Sequence, residues 1–169
     1  MSVELNVERV LRAMEWHYED FDVTELKQID PQEFVCVVRP VLLNDDALTE
    51  DYEDSEVSVH WEPKVGLLIL YMEQESYIPA EHYGWLLTQL NELNAPDSGS
   101  IIRACVVPPP PGEEDGTHAL LTSWNIILQP GVSKESLKQV MDDAFPAFYS
   151  QSLNLLDVLN ERLEAHTIQ

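Results

Sequence analysis

The chain has 169 residues, of which 31 are Asp or Glu and 9 are Lys or Arg, so its formal net charge at pH 7 is −22. Nucleic acids and anionic membrane surfaces attract Lys and Arg, and no basic patch is visible in the sequence, so both are excluded as expected partners. The 44% hydrophobic content exceeds that of disordered chains, and the length suits a single domain over residues 1–169.

The sequence predicts neither a membrane span nor an export signal. The longest apolar stretches, 34–43 and 65–72, are shorter than the roughly 20 residues that a spanning helix requires. Glu4, Glu8 and Arg9 occupy the region where a signal peptide would have its apolar run. A cytoplasmic location is therefore expected.

The two cysteines, Cys36 and Cys105, each lie in an apolar, strand-like run. We expect both thiols to be buried like small hydrophobic side chains. The sequence leaves a disulfide between them open, although a reducing compartment disfavours one.

The chain begins with a predicted amphipathic helix. Ser2 is a suitable N-cap, and apolar residues recur at helical spacing at Val3, Val7, Val10, Met14 and Tyr18. A nearly continuous apolar run then predicts a strand over 34–43, with Pro40 at an edge or a bulge because proline donates no backbone hydrogen bond.

A hairpin is predicted over residues 56–73. Strict alternation over 56–62 is typical of a half-buried strand, with Val57, Val59 and Trp61 on its apolar face. Turn residues at 63–66 connect it to a third strand over 67–72.

The second half of the chain predicts a helix, two strands and a further helix. Pro79 opens the first of these helices and residues 94–96 close it. Strands over 101–107 and 117–128 are joined by a proline-rich, acidic loop. Ser133 caps the last helix, in which Pro146 either introduces a kink or starts a new helix. The resulting order, α-β-β-β-α-β-β-α, predicts an α+β fold in which helices pack against an antiparallel sheet.

No catalytic residue, cofactor site or metal site is predicted. The five histidines are scattered, and the chain lacks a Gly-x-Ser-x-Gly elbow and a glycine-rich phosphate loop. Loop 45–56 is rich in carboxylates, but it has no glycine at which an EF-hand would turn. We expect a non-enzymatic protein, although the sequence leaves an enzyme open.

Large apolar side chains are the candidates for contact with a partner. Trp61, Trp85 and Trp124 are expected in the core, but an exposed tryptophan would be a candidate for protein contact. The second helix carries aromatic and leucine side chains over more than one narrow stripe. We therefore expect a homodimer, with Trp85, Leu86 and Trp61 as candidate dimer or partner contacts.

Three segments resemble the YbjN family, a bacterial family described as sensory-transduction regulators. They are the first amphipathic helix, the Trp-Leu-Leu-Thr-Gln-Leu-Asn-Glu-Leu-Asn run over 85–94, and the final helix with its Phe-Pro-Ala-Phe interruption at 145–148. The resemblance implies a fold like that of class I type III secretion chaperones, which are small, acidic, dimeric proteins that hold unfolded client segments.

Two functional hypotheses follow. The first is a non-enzymatic interaction domain, chaperone-like or regulatory, that binds a protein partner through a sheet edge or through grooves between helices and sheet. The alternative is a domain that senses a small molecule or a divalent cation through loop 45–56.

Overall fold

The computed structural model describes residues 6–41, 54–108, 111–112 and 117–167. In chain order, its elements are α1 (Val7–Arg12), β1 (Phe21–Asp30), β2 (Glu33–Pro40), β3 (Ser55–Glu62), β4 (Leu67–Tyr77), a 3₁₀ turn (Ala80–His82), α2 (Tyr83–Asn94), β5 (Arg103–Val107), β6 (Thr117–Ile127) and α3 (Lys134–Thr167). The strands form one sheet in the order β1-β2-β3-β4-β6-β5. The α+β class and the antiparallel sheet are confirmed, and the predicted elements occur in the predicted order.

Strand β1 was not predicted, and its irregular pairing explains why. Phe21 and Val23 are buried at alternate positions, as in a regular strand. The register with β2 then shifts between Val23 and Glu25, and it shifts again between Gln28 and Asp30. Such bulges interrupt the period-two pattern by which a strand is identified in a sequence.

Helix α1 is shorter than predicted. It begins after Asn6, whose side-chain oxygen accepts a hydrogen bond from the backbone N–H of Arg9 at 2.9 Å, and it ends at Arg12. Tyr18 therefore lies beyond the helix, while the proposed cap Ser2 lies outside the described residues. The predicted amphipathic character is confirmed, since Val7, Val10 and Leu11 are buried.

The chain divides into two compact units, of which the first comprises Met1–Leu70 and Asn125–Pro146. Its core is aromatic. The rings of Trp16 and Phe145 meet edge to face at 5.0 Å between centroids, and those of Tyr18 and Phe21 lie 4.8 Å apart. Burial and the neighbouring carboxylate of Asp142 raise the pKa of Tyr18 above its ordinary value.

The predicted turn at 63–66 depends on Gly66. Its φ of 66° lies in the left-handed region that glycine adopts without strain. Its carbonyl accepts a hydrogen bond from the Leu128 N–H at 2.8 Å, and a Cβ at this position would lie 2.6 Å from the Leu128 oxygen. The backbone approach therefore requires glycine here.

The second unit comprises Tyr71–Trp124 and Ala147–Gln169. Its core joins α2, β5, β6 and the later part of α3, through a cluster of buried apolar residues: Ile78, Leu86, Leu90, Ala104, Leu120, Leu159 and Leu163. Thr122 and Ser152 are polar and fully buried, and the Thr122 hydroxyl donates a hydrogen bond to the Ser152 oxygen at 2.8 Å.

Helix α3 has the predicted N-cap at Ser133 and continues through Pro146. The Ser133 side chain accepts a hydrogen bond from the Ser136 N–H at 3.0 Å, which confirms the predicted cap. The helix extends to Thr167 with Pro146 inside it, so no new helix starts at the proline.

Candidate functional site

A groove in the first unit contains one of the predicted contact residues, Trp61. The groove encloses about 440 Å³. Val57 and Val59 of β3 are fully buried, while Trp61, two residues further along the same face, is half-buried at the end of the strand. This position leaves part of the indole to line the groove.

The other walls come from α1 and from the turns that join neighbouring strands. The residues that line the groove are Asn6, Val7, Glu8, Gln28, Pro31, Gln32, Phe34, Trp61 and Pro63. Two backbone-directed hydrogen bonds hold the β1–β2 turn in place. The backbone N–H of Trp61 donates to the backbone oxygen of Gln32 at 2.8 Å, and the backbone N–H of Gln32 donates to a carboxylate oxygen of Asp30 at 2.7 Å.

The chemistry of the groove suits binding. Trp61 and the exposed prolines Pro31 and Pro63 supply apolar surface, while Asn6, Gln28 and Gln32 supply amide donors and acceptors. Its carboxylate, Glu8, already accepts a hydrogen bond from the Arg12 guanidinium at 2.9 Å. A few polar groups on an apolar lining are typical of sites that orient a bound molecule.

The turn residues Pro31 and Gln32 were not among the predicted site residues. They were missed because the bulged strand β1, which precedes them, was itself missed. The Pro-Gln pair directly before the strand-like run at Phe34 is the signal that could have placed a turn there.

The other two predicted contact residues lie in the second unit, on α2. Leu86 is fully buried within the apolar cluster, so it has no surface that a partner could reach, and its prediction as a contact residue is wrong. Trp85 is half-buried and packs against the same cluster. Leu87, which was not predicted as a contact, is the exposed leucine next to it.

The two cysteines have different environments. Cys36 on β2 is fully buried, and burial raises the pKa of its thiol to about 12. Cys105 on β5 is exposed, so the expectation that it is buried is wrong. Strand β5 lies at an end of the sheet, and Arg103, Cys105 and Val107 alternate on its exposed face. Both thiols are free.

Most of the acidic loop, residues 45–53, lies outside the described residues. Asp54 is described, and its carboxylate accepts two hydrogen bonds from the Arg39 guanidinium, each 3.0 Å long. These bonds lower the pKa of Asp54 below its ordinary value. Within the described ranges, no three His, Cys, Asp or Glu side chains are grouped so that they could hold a metal ion.

None of the helices described here is both long enough and apolar enough to cross a membrane.

Comparison of the chain with protein-family models, with curated proteins and with solved structures finds no match.

Proposed function

We propose that this chain is a non-enzymatic interaction domain, chaperone-like or regulatory, that binds a segment of a protein partner in the Trp61 groove. The observation that carries the proposal is the half-buried indole in a groove of about 440 Å³. Tryptophan is among the residues that contribute most to binding at protein interfaces. The volume lies within the range of about 300–1,000 Å³ that is common for binding cavities.

The charge of the chain indicates what kind of segment would bind. With a net charge of −22, the protein attracts a positively charged segment and repels an acidic one. The preferred partner therefore presents an apolar side chain to Trp61, with Lys or Arg on either side of it.

The groove is favoured over strand addition because both outer strands are protected. The side-chain amide of Asn94 donates to the Ala104 oxygen at 2.7 Å and accepts from the Ala104 N–H at 2.9 Å, so it occupies backbone groups of β5 that an added strand would need. Strand β1 has two bulges and carries exposed charges at Glu25 and Lys27. Bulges and charges are common protections of edge strands.

The test is selection of binding peptides from a random library, followed by measurement of their affinity in solution. We expect the selected peptides to share an apolar residue flanked by Lys or Arg. Trp61→Ala should weaken their binding about 30-fold or more, as truncation of an interface hot spot does. Ile127→Ala removes an apolar side chain that is 78% exposed and does not line the groove, so it should leave the affinity unchanged.

Trp61→Phe separates binding from folding, because it keeps an aromatic ring at the end of β3. It should retain the fold and an intermediate affinity. The proposal is overturned if no peptide family is enriched, or if Trp61→Ala and Ile127→Ala bind the selected peptides equally well.

The family, the assembly and the location are also proposals. We propose membership of the YbjN family, a homodimer and a cytoplasmic location. Their support is the three sequence segments that resemble the family and the apolar side chains of α2. The α+β fold with an antiparallel sheet is compatible with a secretion-chaperone-like architecture.

A further inference from the structure

A second cavity, here called the α1–α3 cleft, lies in the first unit. It has a volume of about 350 Å³ and is lined by Arg9, Val10, Ala13, Lys134, Glu135 and Lys138. It shares no lining residue with the Trp61 groove. The inference drawn from it does not depend on the proposed function.

The cleft concentrates positive charge on a strongly acidic protein. Three of the nine basic residues of the chain line it, together with one carboxylate, Glu135, which gives the lining a formal charge of 3 − 1 = +2. Other basic residues, Arg12, Lys27 and Arg39, form ion pairs with acidic neighbours. Within the described part of the chain, no carboxylate oxygen lies within 4.0 Å of the charged groups of Arg9, Lys134 or Lys138.

The two lysines are placed unfavourably for stability alone. Lys134 and Lys138 are four residues apart on α3, so they lie on the same face one turn apart, where like charges repel. Both are half-buried, whereas lysine is usually exposed. In a chain with 31 acidic residues, this cluster of unpaired basic side chains indicates a site where a bound anion would neutralise the positive charge.

We propose that the α1–α3 cleft binds a small phosphorylated metabolite. A phosphoryl group carries close to two negative charges at neutral pH, which matches the charge of the lining. Arg9 offers the forked donors that suit phosphate oxygens, while Lys134 and Lys138 act as point charges. Ala13 is exposed and provides apolar surface for a small organic part of the ligand. The first turn of α3 adds positive potential to that of the side chains.

Calorimetric titration with pyrophosphate, at constant ionic strength, tests this proposal with a defined probe. We expect saturable binding with one site per chain. The double variant Lys134→Gln/Lys138→Gln and the single variant Arg9→Gln should each weaken binding at least about tenfold, equivalent to about 1.4 kcal/mol.

Lys64→Gln is the matched control, because it removes one positive charge from an exposed lysine that does not line the cleft. It should change the affinity by less than about twofold, well below the tenfold loss expected of the cleft variants. None of these substitutions removes a side chain from the buried core, so no variant should have a thermal midpoint below that of the wild type.

A phosphoryl group is also present on lipid head groups, so a second arm uses sedimentation with phosphatidylglycerol vesicles. The proposal predicts no sedimentation of the protein with these vesicles. It is overturned if pyrophosphate shows no saturable binding, or if Lys64→Gln and the cleft variants lose affinity equally. It is also overturned if the protein binds the vesicles but not pyrophosphate.

Discussion

At the scale of single residues, the cysteines show how one sequence pattern leads to two environments. Cys36 and Cys105 both lie among valines, but residues 34–38 of β2 are all buried, so both faces of that strand are covered, whereas β5 has one exposed face, on which Cys105 lies. Cys36 is therefore enclosed, and Cys105 faces out from β5.

Thiol labelling should distinguish the two residues. At pH 8, a disulfide reagent should modify Cys105 rapidly and Cys36 only after unfolding, because the thiolate is the reactive form and burial raises the pKa of Cys36 to about 12. Cys105→Ser should remove the rapid reaction while leaving the labelling of the unfolded chain at Cys36. Rapid labelling of the Cys105→Ser variant would contradict the described burial.

The same shift has a consequence for stability at high pH. The folded-state pKa of Cys36 exceeds the ordinary value of 9.0. Below about pH 9 the thiol is neutral in both the folded and the unfolded chain, so it does not change the free energy of unfolding. As the pH rises from 9 toward 12, the thiol ionises in the unfolded chain but stays neutral in the folded one, so the free energy of unfolding falls.

At the scale of secondary structure, Asn94 links the end of α2 to β5. It is the last residue of the Leu-Asn-Glu-Leu-Asn run, and its amide satisfies both backbone groups of Ala104, a residue that is 4% exposed. The sequence shows a helix that ends at this asparagine. Only the fold shows that its side chain substitutes for a neighbouring strand.

Asn94→Ala should lower the free energy of unfolding by about 2–6 kcal/mol, since it leaves a donor and an acceptor without partners, at about 1–3 kcal/mol each. Asn94→Asp should be destabilising as well, because the carboxylate can accept from the Ala104 N–H but cannot donate to its oxygen. Urea unfolding measures both changes.

Asn91→Ala is the control, because Asn91 is exposed on the same helix. It should change the free energy of unfolding by no more than about 0.5 kcal/mol. Equal losses in the two alanine variants would mean that helix propensity, not the bond to β5, determines the effect.

At the scale of the whole molecule, the charge of −22 opposes folding through self-repulsion. The thermal midpoint should therefore rise as sodium chloride increases from low concentration to physiological strength, where the screening length is about 8 Å. The Lys134→Gln/Lys138→Gln variant should show a similar rise, because it keeps all the carboxylates whose mutual repulsion is screened. A midpoint that is independent of salt would contradict this account.

The sequence by itself determined the α+β class, the hairpin over 56–73, the end of α2 at Asn94 and the cap at Ser133. Those features depend on local patterns, such as alternation, turn residues and capping side chains, which are complete within a few neighbouring residues. The exclusion of nucleic acids and membranes remains a prediction from the total charge.

The tertiary structure decided which side chains are accessible and which come together. It placed Leu86 in the core, left Cys105 on an outer strand and located Trp61 beside the turn after the bulged strand β1. It also brought Arg9 to the same cleft as Lys134 and Lys138, more than a hundred residues along the chain. Such proximity depends on how distant segments pack, and no periodicity in the sequence records it.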